Sequence, residues 1–181
     1  MIGIVAATQG EADKLIALLG AEKLCDDPFV TYDFEGGVLV LSGMGPENAA
    51  HATEHLLNTH APQRVLNIGI CGALNDDIQV GEVYRITAVV AENARETSCQ
   101  IGDWASLPTA RLASVSEPVF QPDRRAELAK RADLVDMEGH TIAAVCDVYR
   151  LRCTLLKGVS DLANHTGKDD IKKNIAAVSA T

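Results

Sequence analysis

"LVDMEGHTIAAVC", residues 134–146, is the passage whose reading decides the fold. Leu134–Asp136 reads as a short strand, and Glu138–Arg150 has the apolar spacing of a helix. The chain thus passes from strand to helix within two residues, as it does where helices cover the face of a sheet. Two carboxylates, Asp136 and Glu138, fall on that seam. Charge is costly at the end of a buried strand unless it caps the helix or something beyond the strand uses it.

The same alternation runs outward in both directions. Ile2–Ala7 reads as a strand, and Glu11–Leu19 as a helix with Leu15, Ile16, Leu18 and Leu19 on its apolar face. "FVTYDFEGGVLVLSGMG" reads as a hairpin turning at Glu35-Gly36-Gly37. Pro46 opens a helix to about Thr59, where its missing N–H does no harm. "RVLNIGICGAL" reads as a buried strand ending in a glycine-punctuated loop, and "VGEVYRITAVV" as another strand. Glu92–Pro108 is loop-rich and holds the only tryptophan, Trp104. "ARLASVSEPVF" reads as a strand, Pro122–Arg131 as a short helix, "RCTLLKGVSD" as the last strand and Asp169–Ala180 as the final helix. The pattern predicts one α/β domain over residues 1–181. It is a three-layer sandwich with a central mixed, mostly parallel sheet flanked by helices.

Composition narrows the function. The chain has 181 residues, enough for one domain with a substantial core, and only 4% aromatics, so Ala, Val, Ile and Leu must build that core. Sixteen basic against 25 acidic side chains give a net charge of −9. A nucleic-acid partner is not expected, because phosphate neutralisation needs clustered Lys and Arg and the nearest cluster is Lys172-Lys173. No apolar run has the length of a membrane span, and "MIGIVAATQGE" lacks a basic leader, so a cytoplasmic location is expected. The five cysteines are odd in number and show no C-x-x-C spacing, which predicts reduced thiols rather than a disulfide frame or a zinc site.

Ligands in such folds bind beyond the carboxyl ends of the strands. Glu11, Glu138 and Asp161 each stand just past a strand, and so do Gly69-Ile70-Cys71-Gly72, Met137 and Ser160. Any one acid alone reads as an ordinary helix-start residue. Three on one edge, beside glycines, point to a cleft in which one carboxyl serves as acid and another as base. Cleavage of a glycosidic bond uses that division of labour.

Other signals are weaker. "HATEH", residues 51–55, matches the H-x-x-E-H pattern of zinc peptidases, but no third ligand stands out and a solvated helix face is the better reading. "SGMGPENA" puts two glycines before a helix start, as a structural turn or as part of a ligand loop. His140 and His165 read as packing or surface residues. Cys71 has no histidine placed beside it by sequence and reads as a lining residue.

In order and spacing these pieces resemble the nucleoside phosphorylase superfamily, and within it the methylthioadenosine/S-adenosylhomocysteine nucleosidases. "IGIVAATQGEAD" is similar to the family's opening strand and glutamate. "LSGMGPENAA" is similar to its "SGIG" segment, "NIGICGAL" to "NTGSAGGL", and "VGEVY" to "VGD". "VDMEGHTIAAVC" resembles "VEMEAAAIAQVC", and "LLKGVSDLAN" resembles "RAISDxAD". The resemblance implies that Glu11 activates water and that Asp161, oriented by Ser160, serves the purine at N7. It implies that Glu138 holds the ribose hydroxyls while Met137 packs on the sugar. Ile70, Gly72, Lys157 and Phe120 complete the expected substrate contacts, with no metal and no cofactor. The sequence departs from the pattern at Ile70 (family Ser), Lys157 (family Arg), Asn164 (family Asp) and Gly139-His140 (family Ala). The stretch between Val90 and Asp136 is also shorter than the family's. Val119 and Phe120 are the nearest candidates to face the base, and Trp104 lies in the shortened loop.

The expected activity is hydrolysis of the N-glycosidic bond of methylthioadenosine, adenosylhomocysteine or a related adenosyl compound, in methionine salvage. "TQGEADK" offers no arginine to a phosphate and carries Glu11 instead, which favours water. The alternatives are a futalosine-type hydrolase, a phosphate-dependent phosphorylase, or a nucleoside-binding protein without turnover. The expected partners are a small-molecule nucleoside and further copies of the chain in a homo-oligomer.

Overall fold

The computed structural model describes residues 1–91, 96–99, 106–164 and 167–181. Trp104 and His165 lie outside the described residues.

The chain runs β1 (Ile2–Ala6), α1 (Gln9–Leu19), β2 (Glu22–Cys25), β3 (Thr31–Phe34), β4 (Gly37–Leu41) and α2 (Pro46–His60). It continues with β5 (Arg64–Ala73), β6 (Val83–Ala91), β7 (Thr97–Ser98), β8 (Thr109–Ser114) and α3 (Pro122–Ala129). It ends with β9 (Leu134–Asp136), α4 (Gly139–Val148), β10 (Arg152–Asp161) and α5 (Gly167–Val178). This is the expected α/β architecture with a mixed sheet. Among the described residues ten strands join one sheet in the order β10-β6-β8-β9-β5-β1-β4-β3-β2, with β7 on β6. Strand β10 also pairs with β5, so one end of the sheet curls round on itself. Five of the ten pairings among the described strands are parallel, including both pairings of β1 and the long β5–β10 ladder. The antiparallel pairings lie in the β2–β3–β4 meander, where β6 meets β10 and β7, and where β9 meets β5.

Local chemistry sets the element ends. Thr8 caps α1, and its side chain and that of Glu11 form a reciprocal capping box that satisfies two helix-start N–H groups. Gly20 closes α1 in the left-handed conformation. Pro46 starts α2 as expected. The "ARLASVSEPVF" strand stops at Ser114 rather than running to Phe120, which frees Val115–Phe120 to turn over the sheet edge. Strand β5 runs on to Ala73, through glycines that read as a loop, because Gly72 and Ala73 pair with Val135 and Leu134 of β9.

Helices α2 and α4 cover one face of the sheet, and α1 and α5 the other. Leu56 of α2 and Ile142 of α4 are completely buried on the first face among Val5, Val40, Leu134 and Leu155. Burial of one such side chain is worth about 1.5–3 kcal/mol. A smaller cluster, with Leu74, Val119 and Leu128, lies under α3. No helix of the described residues is long and apolar enough to cross a membrane.

Candidate active site

Strands β1, β5 and β10 are mutually parallel neighbours, so the residues after β1 and at the ends of β5 and β10 meet at one edge. Strand β9 runs antiparallel to β5. Its carboxyl end therefore comes back from Ala73 towards Ile70 and brings Met137 and Glu138 to the same place. A cavity of about 190 Å³ opens there. Its walls include Thr8, Glu11, Ile70, Gly72, Met137, Glu138, Ser160, Asp161 and Phe120. Eight of the nine expected site residues thus converge.

Lys157 is the exception. Expected to touch substrate, it does not line the cavity. It is 2% exposed and its ammonium lies 2.8 Å from the Asp136 carboxylate. The physical reason is its place four residues before the end of β10, set back from the open edge, where the Asp136 carboxylate holds the ammonium.

Glu11 is buried and held on both oxygens. Oε2 accepts the Thr8 backbone N–H and hydroxyl, both at 2.8 Å, and Oε1 accepts the Ile70 N–H at 3.0 Å. Glu11 therefore both caps α1 and lines the cleft. Ile70 contributes its backbone N–H where a serine would have offered a hydroxyl. Gly69 makes room for this: a Cβ there would lie 2.9 Å from Glu11 Oε1.

Glu138 stands at the N-cap of α4 and accepts the Gly45 N–H at 2.6 Å. Gly45 has φ 94°, a left-handed conformation that glycine adopts freely and that aims this N–H across the cleft. The "SGMGPENA" turn is thus part of the site's frame. Burial, with the nearby Asp136 carboxylate, pushes the Glu138 carboxyl up to about 7, against the opposing pull of Lys157 and the Gly45 N–H.

Asp161 accepts the Ser160 hydroxyl at 2.8 Å and the Ala163 N–H at 2.9 Å. Burial holds its carboxyl above the ordinary range although both hydrogen bonds pull it down. Such a group keeps a proton more readily than a surface aspartate. Met137, Val119 and Phe120 supply apolar walls. Burial raises the Cys71 thiol, so it lines the cavity as an inert group.

Sequence reasoning missed Thr8, Met44, Ile171 and Ile175, which also line the cavity. Thr8 was visible as the first residue of a T-x-x-E capping box. Ile171 and Ile175 are one helical turn apart, a spacing that marks an apolar face but not what it faces. Away from this cavity, His51 is exposed on α2, and His55 packs against Phe29 with ring centroids 5.5 Å apart.

The chain is similar to known proteins. A 5'-methylthioadenosine/S-adenosylhomocysteine nucleosidase of Staphylococcus carnosus is 27% identical, over 91% of this chain and 87% of its own length. The Bacillus subtilis protein of the same name is 28% identical, over 88% of this chain and 84% of its own. Among solved structures, the Helicobacter pylori 5'-methylthioadenosine/S-adenosyl homocysteine nucleosidase in complex with a pyrrolo-pyrimidine pyrrolidinol compound superimposes with a TM-score of 0.92. It is 20% identical, over 99% of this chain and 92% of that one. A futalosine hydrolase mutant from the same organism superimposes with a TM-score of 0.91 at 19% identity, over 99% and 93% of the two chains. The sequence matches the family described as the phosphorylase superfamily over residues 1–109 and 91–181, and the chain belongs to that family.

Proposed function

We propose that the protein is a purine nucleosidase. It hydrolyses the N-glycosidic bond of methylthioadenosine, adenosylhomocysteine or a related adenosyl compound. The observation that carries this reading is the convergence of Glu11, Glu138 and Asp161 on one cavity between Met137 and Phe120. The curated relatives bear the name of that activity.

The chemistry follows from the geometry. The purine stacks against Phe120, with N7 towards Asp161. As the C1′–N9 bond breaks, its electron pair leaves with the base and Asp161 gives N7 a proton. General acid assistance of this kind contributes about 10²–10⁴-fold. The sugar becomes oxocarbenium-like over Met137, and the Glu138 carboxylate favours its positive charge. A water attacks C1′ and its proton passes to Glu11. One water is consumed and the free base and sugar are released, so no cofactor is required.

Water rather than phosphate is supported by the wall itself. Among the described residues that line the cavity none is basic, and four are acids: Glu11, Asp136, Glu138 and Asp161. Phosphate binding would need the opposite sign.

The working unit is a homo-oligomer in the cytoplasm. Met44 lines the cavity yet is 67% exposed, an apolar mouth that a second copy of the chain would cover. All five cysteines are free thiols, as a reducing compartment requires. Sedimentation velocity showing only monomer at micromolar concentration would overturn the oligomer.

A chromatographic turnover screen tests the activity. Methylthioadenosine, adenosylhomocysteine, adenosine, inosine and futalosine are each offered with and without phosphate. The expected result is free base and free sugar without phosphate, from an adenosyl thioether. Phosphate-dependent formation of a sugar 1-phosphate would overturn hydrolysis, and release from futalosine alone would reassign the substrate.

A further inference from the structure

Three acids crowd one buried region, and the group that holds them together is not in the cavity. The Lys157 and Asp136 side chains are 2% and 1% exposed and meet at 2.8 Å. Asp136 also accepts the Ser114 hydroxyl and the Gly139 N–H at the start of α4. A Cβ on Gly69 would meet Glu11 Oε1 at 2.9 Å and Lys157 Nζ at 3.3 Å, so the base and the cation lean on the same point of β5. Glu138 follows Asp136 by two residues. Buried like charges do not all ionise unless a cation compensates them.

We propose that Lys157 is a positioning residue for the hydrolysis: set behind the cavity wall and paired with Asp136, which lines that wall, it favours the carboxylate form of Glu138 and steadies Glu11 without touching substrate. The proposal rests on the nucleosidase reading for its purpose, but not for its geometry. The groups that face Glu138 are Asp136 from β9, Lys157 from β10, Glu11 from α1 and the Gly45 N–H before α2. Asp136 and Glu11 work against ionisation of Glu138, while Lys157 and the Gly45 N–H work for it. Burial pulls the Lys157 ammonium down, but the Asp136, Glu138 and Glu11 carboxylates outweigh it and hold it above its ordinary value. It stays charged across the working range. The Asp136–Lys157 pair therefore adds no net charge under the site. Loss of either partner would expose Glu138 to the other alone.

The test is a carbon NMR titration of protein labelled at the glutamate carboxyl carbon, with the Glu138 signal assigned by its absence in Glu138→Gln. Lys157→Met is expected to raise the Glu138 midpoint by about one pH unit or more. Asp136→Asn is expected to lower it by a similar amount. The double variant Asp136→Asn/Lys157→Met removes both influences and returns the midpoint to within about half a unit of the parent. Its neutral pair also avoids an unpaired buried charge, so it folds even where a single variant does not. In turnover assays the acid limb of kcat/KM moves with the midpoint while KM changes less than about twofold. Unchanged midpoints, or shifts of the same sign in both single variants, would overturn the proposal. If the parent protein releases base from no nucleoside, the functional reading fails while the titration still decides the role of Lys157.

Discussion

Glu138 accepts the backbone N–H of Gly45 at 2.6 Å, a contact between residues 93 apart in the chain that ties the start of α4 to the start of α2. The bond fixes one oxygen of Glu138 and leaves the other for a ligand. It also opposes the burial that pushes this carboxyl up to about 7. Activity that depends on the ionised form should therefore fall on the acid side of neutrality. We expect kcat/KM to drop about tenfold per pH unit below pH ~6.5. Glu138→Gln should flatten that limb and lower kcat about 10²–10³-fold. A pH–rate profile with no break between pH 5 and 8 would remove Glu138 from the mechanism.

The same carboxyl makes a prediction about stability. Its folded value of about 7 lies above the ordinary 4.5, so the folded state binds its proton more tightly than the unfolded chain does. Its stabilising contribution is complete below pH ~4.5 and is lost as the pH rises through about 7. The span is worth about 3 kcal/mol. Glu138→Gln carries no such charge, and its Oε1 still accepts the Gly45 N–H. We expect its Tm to exceed that of the parent by about 6–12 °C at pH 8 and by no more than about 3 °C at pH 5. Calorimetry at the two pH values checks the sign.

Asp161→Asn should separate chemistry from folding. The new amide nitrogen can donate to the Ser160 hydroxyl, whose own proton then turns to the Cys71 carbonyl 3.2 Å away, while the amide oxygen keeps the Ala163 N–H. Every hydrogen bond is replaced, but the proton donor is gone. Circular dichroism and Tm should match the parent while turnover falls about 10²–10⁴-fold. Near-normal turnover would assign the proton to another group.

Much of this arrangement was readable beforehand, and the exceptions share a cause. The strand Leu134–Asp136, the Pro46 helix start and the last strand appear where apolar spacing and turn residues put them. Those signals are local. Strand β2 is mostly exposed and exists because β3 pairs with it, so Glu22–Cys25 has no pattern of its own. The glycines of β5 look like loop residues until β9 is known to lie beside them. The opening puzzle of two acids on one seam divides in the same way. Both line the cavity, but Asp136 also pairs with Lys157, a partner 21 residues further on and reached across the sheet. The motif located all three acids, but only the folded packing shows Lys157 off the cavity wall and paired with Asp136.

Glu11 answers to two masters, and Glu11→Gln should show both. A glutamine oxygen can still accept the two Thr8 donors, but the amide nitrogen then faces the Ile70 N–H, donor against donor. One buried N–H loses its acceptor, at about 1–3 kcal/mol. We expect a lower Tm together with turnover reduced at least about 10²-fold. Glu11→Ala should cost more stability, because the capping box is lost as well. A Gln variant with parental turnover would show that Glu11 is only a cap.

Gly69→Ala probes the same base without altering any ionisable group. The first atoms its Cβ would meet are Glu11 Oε1 at 2.9 Å, Lys157 Nζ at 3.3 Å and Glu11 Cδ at 3.7 Å. Backbone on a long central strand cannot give way easily, so the carboxylate must move, and its bond from the Ile70 N–H lengthens or breaks. Overpacking of this kind costs about 1–3 kcal/mol. If Glu11 only caps α1, that loss is the whole effect. If it positions the attacking water, a displacement approaching 1 Å should lower kcat about 10²-fold, with KM nearly unchanged. Steady-state kinetics on a variant that remains folded by circular dichroism separates the two, because a merely destabilised enzyme keeps its kcat per folded molecule.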